Sequence, residues 1–282
     1  MDTERSRRLF SLDGKTAALT GGGGVLCGAI AGGYAAAGAT VYLLDINDEQ
    51  TRAQAARLVR DTGGAVKALH CNVLDRASIE QARDTILDEA GKVDVLVNGA
   101  GGNHPDATTK MDEGITFADL PEAAFRRVFD LNLMGTVLCS QVFGRTMAKQ
   151  GSGCIINISS MSGITPLTRV PAYSAAKAAV VNFTQWLAVD LAQNFSTKVR
   201  VNAIAPGFFH TQQNHFLLYR KTDGGEELSK RGEAIIAATP LATFGTPEDL
   251  VGAAVWLASD SARFVTGAVI AIDGGFSAYS GV

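Results

Sequence analysis

The sequence contains few cysteines and histidines and no excess of positive charge. Its cysteines (Cys27, Cys71, Cys139 and Cys154) form no C-x-x-C pair and have no metal-ligand spacing, so we expect reduced, mostly buried thiols rather than disulfides or zinc. The net charge of −3 provides no basic surface for nucleic acid. No run of about 20 apolar residues is long enough to span a bilayer. Nucleic-acid-binding, membrane-spanning and metal-dependent proteins are therefore disfavoured.

The N-terminal segment also lacks the features of a targeting sequence. Residues 1–15 contain three arginines but no apolar stretch that could act as a signal sequence. The acids Asp2, Glu4 and Asp13 argue against a transit peptide. We expect a soluble, cytoplasmic protein.

What the sequence does contain is a regular alternation of apolar strand-like runs and helix-like segments. Most strand candidates are nearly all apolar, which is typical of parallel strands covered on both faces. Repeated strand–helix–strand units predict a Rossmann-type, doubly wound α/β fold with a mostly parallel sheet of about seven strands. The predicted strands span residues 16–20, 40–44, 65–70, 93–98, 154–159, 198–204 and 268–272, and the predicted helices span 28–37, 48–61, 77–91, 122–150, 173–193 and 247–258.

No linker, repeat or low-complexity tract interrupts this pattern, which predicts a single domain over residues 1–282. Two segments depart from it: residues 102–120 follow the fourth predicted strand and residues 207–239 follow the sixth. Both lie beyond the carboxyl ends of strands, where open α/β sheets bind ligands. We interpret them as substrate loops, with ordinary surface insertions as the alternative.

A glycine-rich turn from Thr20 to Gly28 joins the first predicted strand to a helix of small residues. Glycines there let backbone N–H groups approach a pyrophosphate at the helix N-terminus. Asp45 ends the second strand, where a carboxylate would accept hydrogen bonds from the ribose hydroxyls of NAD and repel the 2′-phosphate of NADP. NAD is therefore favoured over NADP. The alternative is that Asp45 only caps the following helix.

Three further positions indicate acid/base chemistry beside that cofactor. Tyr173 and Lys177 are four residues apart, which places them on one face of a helix. Ser160 follows an apolar strand at the carboxyl edge, where the nicotinamide would lie. Asn132 interrupts an apolar helical segment, where an amide needs a hydrogen-bonding reason.

Together these motifs resemble the short-chain dehydrogenase/reductase family over essentially the whole chain, from about Leu12 to Phe276. The family combines a glycine-rich turn after a threonine, an Asn-Ala-Gly-type turn, a Pro-Gly turn after the sixth strand and an Asn–Ser–Tyr-x-x-x-Lys tetrad. This sequence supplies the tetrad as Asn132, Ser160, Tyr173 and Lys177.

The resemblance implies hydride transfer between a nicotinamide cofactor and a secondary alcohol or ketone. Free tyrosine has a pKa of about 10, and we expect the Lys177 ammonium to lower that of Tyr173, which then acts as acid/base. Ser160 would hold the substrate oxygen, Lys177 the nicotinamide ribose, and Asn132 a water in a proton relay.

The resemblance also implies a set of cofactor contacts. These are Gly21, Gly23, Gly24, Val25, Leu26, Asp45, Asn72, Val73, Asn98, Ala100, Gly101, Tyr173, Lys177, Pro206, Gly207, Phe209 and Thr211. Val25 and Cys27 stand where the family usually has glycine, and Gly99 replaces a common second asparagine. We expect residues 22–24 and Gly28 to supply the flexibility that the lost glycines would have provided.

The two candidate substrate loops are polar and resemble those of the D-mannonate oxidoreductase group, which interconverts D-mannonate and D-fructuronate with NAD. A sugar acid needs many hydrogen-bond partners and a cation for its carboxylate. The expected substrate residues are Asn103, His104, Arg169, Gln212 and Asn214, with Arg220 as a second candidate cation. We expect no metal site, because no further ligand stands at suitable spacing from either His104 or His215.

Three alternatives remain at this point. A 3-oxoacyl thioester reductase would tend to use NADPH and carry basic residues beside the glycine turn, which are absent, and a dehydrogenase of simpler polyols is the other enzyme alternative. A non-catalytic NAD-binding sensor on the same fold is disfavoured because Tyr173 and Lys177 are both present. The C-terminal segment from Phe264 to Phe276 resembles the part of the family fold that pairs subunits, so a homotetramer or homodimer is expected.

Overall fold

The computed structural model describes residues 3–211, 214–222 and 225–281. Its centre is a seven-stranded parallel sheet of order β3-β2-β1-β4-β5-β6-β9. The strands are β1 (Thr16–Thr20), β2 (Thr40–Asp45), β3 (Val66–His70), β4 (Val95–Asn98), β5 (Gly153–Ile158), β6 (Val199–Pro206) and β9 (Val269–Ile272), with β7 (Tyr219–Thr222) and β8 (Gly225–Leu228) in a separate antiparallel hairpin. The predicted fold class is confirmed.

Helices cover both faces of this sheet. They are α1 (Thr3–Phe10), α2 (Val25–Ala36), α3 (Asp48–Thr62), α4 (Arg76–Ala90), α5 (Glu122–Phe129), α6 (Gly135–Gln150), α7 (Pro171–Asn194), α8 (His215–Leu218), α9 (Lys230–Ala237) and α10 (Val251–Ala258). No helix within the described ranges is long and apolar enough to cross a membrane.

The strands are apolar throughout because each contributes to a core on both sides. In β1, Leu19 packs in the cluster that includes residues of α2 and α10, whereas Ala18 packs in the cluster that includes residues of α4, α6 and α7. Successive side chains of a strand point to opposite faces, so a strand covered on both faces needs apolar residues at every position. The four cysteines are free and buried within these layers.

Two predicted segments are more divided than expected. The single helix expected over residues 122–150 is α5 and α6 joined by a π-helical turn, Asp130–Met134. Its hydrophobic pattern reads continuously because the backbone stays in the right-handed region through the junction. The loop expected over residues 207–239 contains α8, the β7–β8 hairpin and α9. Both hairpin strands are four residues long and largely polar, so no apolar alternation marks them.

Candidate active site

A pocket of about 500 Å³ opens at the carboxyl edge, where the ends of β1, β2 and β4 meet. The strand order reverses between β1 and β4, and doubly wound sheets bind ligands at such switch points. The expected cofactor residues that line it are Gly21, Gly24, Val25, Leu26, Asp45, Asn72, Val73, Ala100 and Gly101. The sequence analysis missed the lining residues Ile46, Gln50, Cys71, Leu74 and Leu131. They flank expected positions, but the sequence alone does not show which side chains turn toward the pocket.

The glycine-rich turn brings two stretches of backbone together at Gly21. This residue has a φ of +68°, and a Cβ added there would lie 2.8 Å from the backbone nitrogen of Ala100. Only glycine satisfies both constraints without strain. Within the turn, Gly21 alone adopts the left-handed region, so the flexibility expected of residues 22–24 and Gly28 is not used.

Asp45 faces the pocket from the end of β2. Its carboxylate accepts hydrogen bonds from the backbone N–H groups of Gly23 at 3.1 Å and Asn47 at 3.1 Å. The N-cap of α3 is Asn47, whose side chain accepts from the N–H of Gln50. The alternative that Asp45 merely caps the helix is therefore wrong. No lysine or arginine lines this pocket in the described part of the chain, so its electrostatics suit ribose hydroxyls better than a 2′-phosphate.

Of the two asparagines expected to contact the cofactor, one lines the pocket and the other lies beneath it. Asn72 lines the pocket, and its side-chain oxygen accepts from the N–H of Leu74 at 3.0 Å. Asn98 is 2% exposed and does not line it. The Asn98 amide instead donates to Ser140 at 2.9 Å and to Asn157 at 2.8 Å. This side chain ties β4 to β5 and α6 beneath the pocket, so it positions the strand end.

Lys177 connects the candidate catalytic residues to this pocket. It is 4% exposed, and its ammonium donates to the carbonyl oxygen of Ile158 at 2.8 Å. Its Nζ lies 5.6 Å from the centre of the Tyr173 ring and would lie 3.2 Å from a Cβ at Gly101, a pocket-lining residue. Burial lowers the pKa of Lys177 to about 8.

The surroundings of Tyr173 shift its acidity in opposite directions. Burial raises the pKa of the phenol, whereas a hydrogen bond with Ser160 lowers it, and burial dominates. The expected lowering of this pKa by Lys177 is therefore not the controlling effect here: the ammonium lies over the ring face and is bonded to Ile158. The Ser160 oxygen also accepts from the N–H of Ser162 at 3.1 Å, which orients the hydroxyl.

Asn132 is completely buried in the π-helical turn between α5 and α6. Its amide donates to the carbonyl oxygen of Gly102 at 2.7 Å and accepts from the Gly102 N–H at 3.0 Å. It also donates to Val128 at 2.8 Å. These contacts satisfy the side chain and hold the segment after β4 against α5. This side chain is thus an anchor for Gly102, a role that the expected water relay does not include.

Hydrogen bonds to β9 and within the segment itself hold the connection after β6 in place. Gly207 donates to Ile272 at 2.9 Å, directly after Pro206 at the end of β6. The Asn214 amide accepts from the Thr211 N–H at 2.8 Å and donates to the Phe209 carbonyl at 2.7 Å. Asn214 therefore braces this turn, and its expected substrate contact stays a prediction. Phe209 is 6% exposed and packs in the core, so its side chain does not face the pocket.

The first substrate loop is also internally bonded. Asn103 donates to Thr108 at 2.7 Å, and the two ring nitrogens of His104 meet the Asp106 N–H at 3.2 Å and Arg127 at 2.8 Å. Both expected substrate residues thus have protein partners. Gln212 lies outside the described residues.

The two arginines expected to bind the substrate carboxylate have different hydrogen-bonding partners. Arg220 pairs with Glu227 at 3.0 Å within the hairpin, so its guanidinium already has an acidic partner. Arg169 adopts a φ of +73°, and its Nε donates to the Thr109 carbonyl at 3.1 Å. The sequence analysis gave Arg231 no role; burial lowers the pKa of its guanidinium, and the positive charge of Arg169 lowers it further.

The histidines near this edge are engaged with each other. His210 Nε2 and His215 Nδ1 are 2.9 Å apart, and His215 Nε2 lies 3.1 Å from Glu226. Within residues 3–211, 214–222 and 225–281, no group of three or more histidine, cysteine or acidic side chains is arranged to hold a metal ion.

Comparison with known proteins identifies the family. A family model described as enoyl-(acyl carrier protein) reductase matches residues 26–277. The uncharacterized oxidoreductase UxuB of Bacillus subtilis (strain 168) is 50% identical over 279 residues, covering 96% of this chain and 98% of that protein. The D-threitol dehydrogenase of Mycolicibacterium smegmatis is 35% identical, with 95% of each chain covered.

A solved structure shows the same likeness. It is a Haemophilus influenza protein provisionally named D-mannonate oxidoreductase, with bound NAD; it has a TM-score of 0.89 and 43% identity, covering 96% of this chain and 98% of that one. The residues matched by the family model include the end of the glycine-rich turn and all four residues of the tetrad. The chain therefore belongs to the short-chain dehydrogenase/reductase family and is an oxidoreductase that acts on alcohol groups.

Proposed function

We propose that this protein transfers a hydride between NAD and a secondary alcohol or ketone of a sugar acid, with D-mannonate and D-fructuronate as the substrate pair. The observation that carries the proposal is the meeting of Tyr173, Ser160 and Lys177 beside a pocket that Asp45 lines. The bound NAD of the solved relative supports the choice of cofactor.

The residues present fit a dinucleotide. Gly21 lets the turn after β1 lie against the backbone of Ala100 at the pocket wall, and the Asp45 carboxylate supplies acceptors for ribose hydroxyls. Lys177 would bind the nicotinamide ribose, and its approach to Gly101 at the pocket wall supports this role. When bound, NAD supplies the acceptor or donor of the hydride.

The chain's own groups handle the proton. In oxidation, Tyr173 accepts the proton of the substrate hydroxyl while Ser160 donates a hydrogen bond to the same oxygen and fixes its position. In reduction, the phenol returns a proton to that oxygen. Burial raises the pKa of Tyr173, so the protonated phenol is its resting form, and the hydrogen bond with Ser160 favours the phenolate that oxidation requires. Asn132 holds Gly102 beside the reacting group.

The experiment is a comparison of NAD- and NADP-linked rates on D-mannonate, D-mannitol, D-gluconate and a 3-hydroxyacyl thioester, followed by the absorbance of the reduced nicotinamide. The proposal expects the highest kcat/KM with NAD and D-mannonate. A higher kcat/KM on the thioester, or with NADP, would contradict it.

A polyol dehydrogenase is the second candidate, and the 35% identity to a D-threitol dehydrogenase is the observation that favours it. In that case D-mannitol would be oxidised faster than D-mannonate. The thioester alternative is weaker, because no basic side chain in the described part of the chain lines the cofactor pocket.

We also propose that the chain assembles as a homotetramer or homodimer. Phe264 is fully exposed, and Trp186 on α7 is 60% exposed, both large apolar side chains that association would cover. Light scattering coupled to size-exclusion chromatography tests this, and a monomer at micromolar concentration would contradict it.

A further inference from the structure

Gln50 lines the cofactor pocket from the first turn of α3. It is the third residue of this helix after the N-cap Asn47, and a glutamine at that position commonly bonds back to the N–H of the N-cap residue. Here the Asn47 N–H donates to the Asp45 carboxylate at 3.1 Å instead. The Nε2 group of Gln50 is therefore left for a contact outside the helix.

That contact is with the glycine-rich turn. Gln50 Nε2 donates to the carbonyl oxygen of Gly23 at 2.7 Å, and the Gly23 N–H donates to Asp45 Oδ2 at 3.1 Å. A carbonyl oxygen only accepts, so the nitrogen end of the Gln50 amide must face it. Both backbone polar groups of Gly23 are thus bonded to the segment that runs from β2 into α3.

The turn needs this restraint because its backbone has unusual freedom. Residues 21–24 are all glycine, and glycine lacks the Cβ that limits how a peptide bond is oriented. The peptide between Gly23 and Gly24 is held at both ends: its carbonyl accepts from Gln50, and its N–H donates to the Gly21 carbonyl at 3.0 Å. Loss of the Gln50 bond would release one end of this peptide.

The same contacts fix the Asp45 carboxylate. Its Oδ2 accepts from Gly23 and its Oδ1 from Asn47. Because Gln50 holds the first of these donors, the orientation of the carboxylate depends on Gln50. We propose that Gln50 is a positioning residue that holds Gly23 and, through it, the Asp45 carboxylate in the geometry that binds the adenosine ribose of NAD. This inference rests on the proposed NAD-dependent function.

The first experiment measures NAD binding by titration calorimetry and turnover by steady-state kinetics in Gln50→Met. Methionine keeps the length of the side chain but cannot donate to Gly23. Loss of one hydrogen bond predicts that Kd and KM for NAD rise by about threefold to tenfold. We expect kcat at saturating NAD to stay within about twofold of wild type, because the residue does not touch the reacting atoms. The matched control is Gln81→Met, at an exposed glutamine of α4, which should change neither constant.

A second variant and a double variant test the link to Asp45. Gln50→Glu should raise Kd for NAD further than Gln50→Met, because a carboxylate would face the Gly23 carbonyl oxygen. If Gln50 acts by holding Asp45, the rise in Kd for Gln50→Met combined with Asp45→Ala should be smaller than the product of the two single rises. A rise equal to that product would overturn the positioning role. A lower denaturant midpoint with unchanged Kd in Gln50→Met would also overturn it, since Gln50 would then only stabilise the turn.

Calorimetry with NAD alone separates this inference from the proposed substrate. Weaker NAD binding in Gln50→Met supports the positioning role even if wild type does not oxidise D-mannonate. An unchanged Kd in both Gln50 variants would overturn the positioning role in an enzyme that does oxidise D-mannonate. A wild-type protein that binds NADP but not NAD would overturn both proposals.

Discussion

Gly99 faces the sulfur of Cys27 across the floor of the cofactor pocket: a Cβ at position 99 would lie 2.1 Å from Cys27 Sγ. Cys27 is 5% exposed, and burial raises the pKa of its thiol to about 12, so it acts as a small packed side chain. The family usually has a glycine at position 27 and a larger residue at position 99. The two departures from the family pattern are thus complementary, since the side chain gained at 27 occupies space left at 99.

The Gly99–Cys27 contact predicts a strong coupling between two substitutions. Gly99→Ala should destabilise the protein by about 1–3 kcal/mol, because overpacking forces backbone or side chains to shift. Cys27→Gly in the same chain should restore part of this loss. The restoration is partial because the Thr20 carbonyl oxygen would still lie 2.9 Å from the new Cβ. Denaturant unfolding of the single and double variants measures the coupling.

A control for this cycle is available in the exposed part of α10. A Cβ at Gly252 would meet nothing within 4 Å, so Gly252→Ala should not destabilise the protein. If the effects of Gly99→Ala and Cys27→Gly simply add, the contact does not determine the packing of the pocket floor.

The role of Tyr173 predicts a loss of turnover without a loss of cofactor binding. Tyr173→Phe removes only the hydroxyl, so the ring still packs over Lys177. General acid/base catalysis contributes about 10²–10⁴-fold, and kcat should fall by that factor. The dissociation constant of NAD, measured by calorimetry, should change less than about twofold. Turnover within tenfold of wild type would refute the assignment.

The surroundings of Asp45 predict a shift in cofactor preference. Asp45→Asn keeps an oxygen that can accept from the Gly23 N–H but removes the negative charge. KM for NAD should rise by about tenfold, and the ratio of NAD- to NADP-linked kcat/KM should fall because a 2′-phosphate is no longer repelled. Asn47→Ala is the control: loss of the α3 cap should reduce stability by about 1 kcal/mol without changing that ratio. An unchanged ratio in Asp45→Asn would show that the carboxylate does not select the cofactor.

The buried ammonium of Lys177 predicts a pH-dependent gain in stability on its removal. Burial lowers its pKa from 10.5 to about 8, so below pH 8 the folded protein carries a buried charge that the unfolded chain solvates freely. Below pH 8 this buried charge lowers the free energy of unfolding by about 3 kcal/mol. The loss is relieved as the pH rises from about 8 to 10.5, because in that range the unfolded chain binds more protons than the folded one. The free energy of unfolding of Lys177→Met, relative to that of wild type, should therefore be highest at neutral pH and should fall at high pH.

Denaturant midpoints of wild type and Lys177→Met between pH 7 and about 10.5 test this linkage. The loss of the bond to Ile158 lowers the stability of Lys177→Met throughout this range, so the slope with pH is the informative quantity. Lys149→Met, at an exposed position at the end of α6, is the matched control. A difference between wild type and Lys177→Met that does not vary with pH would contradict the prediction.

Local pattern was sufficient for the main elements of this protein. The seven sheet strands lie within two residues of their predicted bounds, because a parallel strand covered on both faces must be apolar at consecutive positions. Asp45, Ser160 and Tyr173 come at or after the ends of predicted strands, which predicted their position at the carboxyl edge. This works because the carboxyl ends of parallel strands meet at one edge of the sheet.

The hydrogen-bond partners of the polar side chains could not be predicted from the sequence in the same way. The sequence suggested amides for the cofactor and substrate at Asn98 and Asn214, but in the fold these amides bond Ser140 and the Phe209–Thr211 turn. A polar side chain satisfies the nearest groups of opposite hydrogen-bonding character, and those groups come from distant parts of the chain.

The sequence by itself therefore determined the fold class, the edge of the sheet that carries the pocket and the candidate acid/base group. Only the tertiary structure decided that Gly99 accommodates Cys27 and that Asn132 is hydrogen-bonded to Gly102. The physical reason is that periodicity reflects contacts between neighbours along the chain, whereas these contacts depend on distances between segments that meet only after the sheet has formed.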